Sequence, residues 1–486
     1  MLNLIYLNGD KSSGNIKHSL KKRDVKYTTT NFYKTLLIKE NFMSFIKLFD
    51  NDYSKLLSNN INYNDMSLDD LYLYLSNNPS ALNLPVLIDN EKIIYKEEIS
   101  KYIEKLPLIA ETKVLVGLSG GVDSAVAAYL LKEKGYDVTC CFMRNWDSVL
   151  NNDILGNNTL DNDICTQESD YNDAKSVADA LGLKLLRVDF IKEYWDYVFT
   201  NFVEEYKKGR TPNPDILCNK YIKFDSFLKY AIDNGFDKIA TGHYIKEEDG
   251  KYFQADDQNK DQSYFLAQVS KDALDKCIFP LGKIDKGDVR LIANNLNLSI
   301  ANKKDSTGIC FIGERDFRKF LSNYIPMKKG DIVNIDNGKK IGEHNGVYYY
   351  TIGQRKGFNV GGNEGPYFCV GKNVEKNILY LTSVNNESFL YSDKCLVDNI
   401  NWIKDIDDDI DIDVKFRYRQ KDIKVHLNKI DDKSVYLTYD NIKAVTPGQQ
   451  AVFYINKELL GGGVIEKTYI KNIEVKDFLD DKMKSA

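Results

Sequence analysis

The residues best placed for chemistry are Gly117-Leu118-Ser119-Gly120-Gly121-Val122-Asp123-Ser124, between the apolar run Lys113–Val116 and the amphipathic segment Ala125–Lys134. They read as strand, tight loop and helix. The glycines let backbone amides approach a phosphate, the Ser119 and Ser124 hydroxyls add donors, and the helix start adds a favourable dipole. Two cysteines stand in further unusual contexts. Cys218 closes Gly209-Arg210-Thr211-Pro212-Asn213-Pro214-Asp215-Ile216-Leu217-Cys218, where two prolines stiffen a loop ahead of a helix expected over Lys220–Asn234. There the helix dipole would favour a thiolate. Cys310 lies in a glycine-bearing turn, Lys304–Arg315. From spacing alone the pair is better read as two buried structural cysteines, since only the fold can bring them together.

The nucleotide site is of an uncommon kind. Gly250-Lys251, Gly282-Lys283, Gly338-Lys339 and Gly371-Lys372 are followed by Tyr, Ile, Lys and Asn, so no Walker loop is present. No Gly-x-Gly-x-x-Gly follows a strand either. A glycine-rich turn without a ligand is the bland alternative, and the convergence of Ser, Gly, Asp and Ser at one helix start speaks against it. The stretch resembles the SGGxDS loop of the ATP pyrophosphatases, which implies a Rossmann-like domain that cleaves ATP between the α and β phosphates, often adenylating a substrate.

The elements around these residues suggest several domains. At 486 residues, 43% of them hydrophobic, the chain is long enough for about three. A net charge of −5 and a pI near 5.7 argue against an indiscriminate nucleic-acid binder and leave room for a local basic face. Eight cysteines without a C-x-x-C pair argue against zinc clusters and disulfide scaffolds, so no metal set is read from the protein. No apolar run reaches the roughly 20 residues of a membrane span, and the start lacks a basic region and cleavage site, so a cytoplasmic protein is expected.

Beyond the loop, strand Asp137–Met143 completes a βαβ unit, and ligands of such sheets sit beyond the strands' carboxyl ends. Met143 is thus placed near an adenine, and equally well in the core. Asn145–Asp170 reads as an extended loop, followed by helix Tyr171–Leu181, strand Lys184–Asp189 and strand Lys238–Thr241. The last leads into Gly242-His243-Tyr244, where His243 either contacts phosphate or caps the strand. Lys260, Asp261 and Gln262 form a polar cluster opening an apolar helix, which alone says little. From Gly330 the pattern turns to short alternating runs, Asp331–Ile335, Val347–Ile352, Tyr367–Val370 and Ile378–Thr382. A second series, Asp411–Tyr418, Lys424–Ile430, Ser434–Tyr439, Gln450–Tyr454 and Gly462–Ile465, suits a small barrel. Within it Arg417 and Tyr418 combine cation and stacking ring in a way suited to RNA, though a solvated edge strand fits nearly as well.

Residues 1–108 read as a separate α/β module. It resembles the arsenate reductase and Spx-like family in Met66–Leu71, Asn78-Pro79 and Asn83–Asp89, which implies a thioredoxin-like fold. Where that family carries its redox cysteine, this chain has Asn8-Gly9-Asp10-Lys11-Ser12-Ser13-Gly14, and no cysteine precedes Cys140. Thiol–disulfide chemistry needs a thiolate, so the module is expected to dock or regulate. Leu106–Glu111 would link it to the remainder.

In order, the loop, Asn213–Lys220, Gly242-His243-Tyr244, Asp305–Arg315 and Tyr350–Gly357 resemble bacterial and organellar tRNA 2-thiouridylases over roughly residues 111–470. That resemblance implies a Rossmann-like pyrophosphatase-loop domain at 111–315, a central β domain at 316–385 and a C-terminal β-barrel at 386–473, and the charged stretch 474–486 reads as a mobile tail. It also implies adenylation of the wobble uridine of tRNA at C2 by ATP with Mg²⁺, then replacement of the oxygen by sulfur from a donor protein, a cysteine desulfurase or sulfur-relay protein. Gly117–Ser124, Met143 and Gly242 would bind ATP. Cys310 would carry the persulfide, and Cys218 would either attack it or close a transient disulfide with Cys310. Asp215 would be the acid/base. Asn213, Pro214 and Asp215 would line the target base, with Lys260, Asp261, Gln262, Arg417 and Tyr418 touching tRNA. Two rivals are another pyrophosphatase-loop enzyme, such as an amide-forming ligase or tRNA-lysidine enzyme, and an inactive regulatory protein. The paired cysteines argue against the first, and the intact loop with both cysteines against the second.

Overall fold

A computed structural model describes residues 2–7, 10–23, 25, 27–32, 38–49, 55–57, 66–90, 92–106, 111–155, 157, 166–305, 316–358, 360 and 366–484. The chain divides into two compact units, the first built on residues 1–113 and the second on nearly all of the remainder.

In the first unit β1 (Leu2–Tyr6) pairs parallel with β2 (Tyr27–Asn31) and antiparallel with β3 (Val86–Asp89), and β4 (Lys92–Ile94) completes the order β2-β1-β3-β4. Apolar side chains leave both faces of this sheet. Ile5 and Val86 join Phe42, Phe45, Leu71 and Leu75 on one side, while Leu4 and Leu87 join Ile16, Leu20, Ile99 and Ile103 on the other. The helix after β1 spans Lys11–Lys21, because the Asp10 carboxylate accepts the Ser12 N–H at 3.0 Å and caps its start.

The second unit opens on a five-stranded sheet formed by β5 (Lys113–Gly117), β6 (Asp137–Arg144), β7 (Lys184–Asp189) and β8 (Lys238–Ala240), with the hairpin strands β9 (Ile245–Glu248) and β10 (Lys251–Gln254) intervening before β11 (Cys277–Ile278). Its order is β11-β8-β5-β6-β7, with β6–β7, β5–β8 and β8–β11 parallel. Val114, Leu115 and Val116 are fully buried, as a central parallel strand requires.

Two helices differ from expectation. The segment read as loop through Asp170 is already helical from Thr166, in a helix running to Leu181; its first turn is polar and gives no periodic signal, yet Glu168 is fixed by Arg187 at 2.8 Å. The helix expected at Lys220 begins at Pro214, with Asn213 as N-cap accepting the Asp215 N–H at 3.2 Å. Proline suits a first helical turn, whose N–H would be unpaired anyway. Cys218 therefore sits inside the helix rather than at its mouth.

The central domain is a four-stranded sheet in the order β13-β12-β15-β14, from β12 (Gly330–Asn334), β13 (Lys340–His344), β14 (Tyr367–Asn373) and β15 (Ile378–Ser383). The expected strand Val347–Ile352 is a helical turn, Val347–Tyr349, anchored where the buried Tyr349 hydroxyl donates to Ile325 O at 2.6 Å. Next come β16 (Tyr391–Trp402), β17 (Asp409–Lys415), β18 (Ile423–Lys429), β19 (Val435–Lys443), β20 (Gln450–Ile455) and β21 (Glu458–Ile470). Their order is β16-β19-β18-β17-β20-β21, and pairing of β16 with β21 closes the barrel. Closure removes exposed edges.

The stretch expected to be a mobile tail instead contributes β22 (Ile473–Glu474) and a helix, Val475–Lys484. Leu479 is 3% exposed, packed with Val370 and Tyr380, and Asp480 accepts from Tyr380 Oη at 3.1 Å. Charged residues mask this apolar stripe in the sequence.

Candidate active site

β5 ends at Gly117, and the following loop enters the helix Val122–Glu133. Leu118 N–H donates to Cys141 O at 2.9 Å, tying the loop to β6. Ser124 Oγ donates to Gly121 O at 3.0 Å and accepts the Ser119 N–H at 3.1 Å, so the turn is closed by its own residues. Gly120 has φ +75°, and a Cβ on it would lie 2.4 Å from Asp170 O. A Cβ on Gly242 would lie 2.8 Å from Ser124 N. Two chain segments thus meet backbone to backbone at the helix start, the construction an anion cradle needs. Met143 also reaches this place, its Cε 3.0 Å from where a Gly117 Cβ would stand.

Charge is dense around the loop. Asp123 Oδ1 accepts Tyr244 Oη at 2.7 Å and Lys286 Nζ at 2.6 Å. Lys286 also pairs with Asp305 at 2.8 Å, which Lys260 and Arg290 reach at 2.6 Å and 2.9 Å. Burial would raise the Asp305 pKa, but the ammonium groups of Lys260 and Lys286 outweigh it and hold it down at about 2. Lys303 donates to Gly120 O at 3.2 Å and pairs with Asp170 and Asp173 at 2.8 Å and 2.6 Å. Burial opposes its charge, yet those carboxylates raise its pKa. Tyr244, Lys286, Arg290 and Lys303 are not singled out by the sequence. Only the Gly242-His243-Tyr244 stretch carries a signal, and it points to His243. That ring is buried, its Nδ1 2.8 Å from Thr241 Oγ1, and burial pushes its pKa well down, with Lys223 adding repulsion. His243 is therefore a neutral buried group.

Cys218 is 4% exposed and begins a stretch, Cys218–Ser226, wound with π-helical hydrogen bonds such as Phe227 N–H to Ile222 O. Such widened turns collect at functional sites. Phe227 carries this helix to the loop, its Cε1 3.6 Å from the position of a Gly117 Cβ. Burial raises the Asp215 pKa, with Lys223 opposing. Cys310 lies outside the described residues.

Candidate RNA contacts gather beside this helix. The Tyr264 phenol is bonded by the Asn213 side chain and donates to Gln450 O at 3.2 Å. The Tyr418 ring packs on Phe265 with centroids 4.4 Å apart, and Asn219 Nδ2 donates to Phe265 O at 3.0 Å. Arg417 is exposed and donates to Ala444 O at 2.8 Å. Arg417-Tyr418, expected at a strand end, lie in the turn after β17. The three-residue polar cluster is divided. Lys260 is on Asp305, Gln262 Oε1 accepts Tyr244 N–H at 3.0 Å, and the buried Asp261 pairs with Lys415 at 3.1 Å while accepting the Ala255 and Ser263 amides. The cluster opens only a short helical turn, Ser263–Leu266, not an apolar helix. Asp261 thereby braces the loop rather than presenting its carboxylate to solvent.

Residues 112–314 match a family model described as tRNA methyl transferase HUP domain, residues 318–383 one described as tRNA methyl transferase PRC-barrel domain, and residues 392–465 one described as aminomethyltransferase beta-barrel domain. Over 369 residues the chain is 59% identical to the tRNA-specific 2-thiouridylase MnmA of Mycoplasma mycoides subsp. mycoides, covering 73% of this chain and 98% of that protein. The chain belongs to the tRNA-specific 2-thiouridylase family. Another member, from Mycoplasmopsis synoviae, is 56% identical over 360 residues, 74% of this chain and 96% of that protein. These 2-thiouridylases match nearly end to end, which outweighs the methyl transferase wording of the domain descriptions. Among solved structures, a U34-tRNA thiolase of Methanococcus maripaludis aligns at 24% identity over 41% of this chain and 60% of that one. Its TM-score of 0.26 is too slight to bear on function. Within the 2-thiouridylase family frame, the loop domain, central sheet and closed barrel are the three matched parts, and residues before 112 lie outside all of them.

Proposed function

We propose that this protein thiolates C2 of the wobble uridine in tRNA. The observation that carries this reading is membership of the 2-thiouridylase family over nearly the full length of the relatives and 73% of this chain, together with two glycines, Gly120 in the loop and Gly242 on the segment after β8, that leave room only for backbone. The triphosphate lies along Gly117–Ser124 with Met143 and Gly242 toward the adenosine, and Lys286 and Lys303 are the cations within reach of its leaving group. Mg²⁺ would enter with ATP and offset phosphate charge, since the Asp123 carboxylate is already bonded by Lys286 and Tyr244. The uridine O2 attacks the α-phosphorus, the α–β bond breaks, and pyrophosphate leaves.

The target base must leave its stack to reach a buried helix, lined by Asn213, Pro214 and Asp215. Cys310 brings a persulfide received from a cysteine desulfurase or sulfur-relay protein. Its terminal sulfur bonds to C2 as AMP departs, and Cys218 attacks the inner sulfur, leaving a Cys218–Cys310 disulfide that a thiol reductant must reopen. If Cys218 attacks first, sulfide is freed beside C2 and the same disulfide results. Asp215 relays the proton. Tyr418, on Phe265, and the exposed Arg417 support the tRNA, with Lys260 and Gln262 nearer the loop. A mercury-retention gel tests the assignment: Cys218→Ala and Cys310→Ala should each bind ATP and tRNA yet give no 2-thiouridine, and full thiolation by Cys310→Ala would end its role as carrier.

The first unit we read as a thioredoxin-like docking module, supported by its β2-β1-β3-β4 order and by helices on both faces. It binds the sulfur donor. A folded chain lacking residues 1–108 should keep sulfide-driven thiolation and lose donor-driven thiolation. No helix among the described residues is long and apolar enough to cross a membrane.

A further inference from the structure

Lys372, near the end of β14, carries an ammonium nitrogen that is buried and without a hydrogen-bond partner among the described residues. A charge held out of water without a counterion is strongly unfavourable unless the site supplies one or the group gives up its proton. Burial draws the Lys372 pKa down to about 8, opposed in part by the Cys369 thiol. The stem is wedged beside Gly209, where an added Cβ would lie 3.9 Å from Lys372 Cδ.

The side chain lines a cavity of about 230 Å³ whose walls come from Lys208–Thr211, β14, the barrel at Thr446-Pro447 and Glu466–Thr468, and the C-terminal helix. Five cations border it, Lys208, Arg210, Lys372, Lys467 and Lys476, against two carboxylates, Glu466 and Glu474. Both carboxylates are occupied, Glu466 by Arg210 at 2.5 Å and Glu474 by Lys467 at 2.8 Å, and Lys208 turns to Glu205 at 2.9 Å. The site therefore holds unbalanced positive charge around a space of small-molecule size. A tetrahedral polyanion can accept from several converging cations at once.

One wall is also the lead-in to the cysteine helix. Thr211 N–H donates to Pro447 O at 3.2 Å, Gln449 Nε2 donates to Thr211 O at 2.6 Å, and Asn213 caps the helix two residues later. We propose that this cavity is a second anion site, separate from Gly117–Ser124, that takes a phosphate group on Lys372 and Lys476 and thereby fixes the Arg210–Thr211 approach to Cys218. The phosphate is either a free inorganic anion or a backbone phosphate of the tRNA. Only the second source rests on the function proposed above.

The test uses the full chain with the nucleotide loop filled by a non-hydrolysable ATP analogue. Equilibrium dialysis with labelled inorganic phosphate should find one remaining site, weakened at least tenfold in Lys372→Met and kept in Lys372→Arg. Lys476→Ala, at an exposed position of the C-terminal helix, should weaken the same site at least fivefold, so the question stays open to refutation even where Lys372→Met does not fold. If the backbone is the source, the salt dependence of tRNA affinity in Lys372→Met should fall by about one phosphate contact. An unchanged salt slope with positive dialysis assigns the free anion. No dialysis signal together with an unchanged slope overturns the proposal, and the dialysis arm tests the free anion whether or not tRNA is the substrate.

Discussion

Gly117–Ser124 and Arg210–Cys218 carry the two halves of the proposed reaction and are held in different ways. The first is closed by neighbours within its own βα unit, with Ser119 and Ser124 bonded to each other at 3.1 Å and the loop pinned to Cys141 of the adjacent strand. The second is held from far along the chain, Arg210 by Glu466 and Thr211 by Pro447 and Gln449. The turn of the loop is therefore closed locally, with Lys286 and Lys303 reaching it from later in the chain, whereas presentation of Cys218 depends on the barrel. The division suits a reaction in which activation can wait for a correctly seated RNA.

Two glycines would break the comparison most sharply. Gly120→Ala combines a φ of +75° with a contact 2.4 Å from a backbone oxygen. ATP affinity and thiolation should both fall by about 100-fold or more, a loss of roughly 3 kcal/mol of the kind seen on removing a preorganised anion site. Near-normal ATP dialysis would show that the loop adapts. Gly448→Ala comes next. Its φ is +91° and the new methyl would lie 2.8 Å from Thr211 N, on the barrel side of the cysteine loop. Thiolation should drop about tenfold, in line with small displacements of positioning groups, while ATP affinity holds. A parallel loss of ATP affinity would mean the two halves are not separately supported.

The same contrast decides how much of the molecule is legible in its sequence. Eight contiguous residues announce the nucleotide loop, and buried Val114–Val116 with Val122 and Val126 on the next helix make its strand and helix periodic. The cysteine helix starts earlier than its sequence suggests because Pro214 and its Asn213 cap look like loop residues until the N-terminal bonding is seen. The strand β16 closes the barrel by pairing with both β19 and β21, and its irregular burial pattern reflects that double duty. Lys286 reaches Asp123 across 163 residues, and no local pattern marks such a partner. Asp261 is legible as polar but not as buried, since Lys415, which neutralises it, lies on another domain.

A smaller effect should separate RNA seating from chemistry. Tyr418→Ala removes a ring packed at 4.4 Å on Phe265 while leaving the loop untouched. Ring–base contacts contribute about 1–3 kcal/mol, so tRNA affinity should weaken about tenfold with kcat at saturating tRNA nearly unchanged. Equal loss in kcat alone would move Tyr418 from RNA support to catalysis.

The smallest expected change concerns Asp305, which joins Lys260, Lys286 and Arg290, with the Lys286 ammonium in turn on Asp123 of the nucleotide loop. Its folded pKa of about 2 lies below the ordinary 3.8. The folded state therefore binds this proton less readily than the unfolded state, and stability from the group is complete above pH 4 or so and drains away as the pH falls through about 2. Asp305 is partly exposed, so solvent screening reduces the effect to about 1 kcal/mol. Urea midpoints at pH 5 and pH 3 should converge in Asp305→Asn relative to the parent, because the variant has no proton to take up there. An unaltered difference between the two midpoints would show that the three cations do not hold this carboxylate in the folded chain.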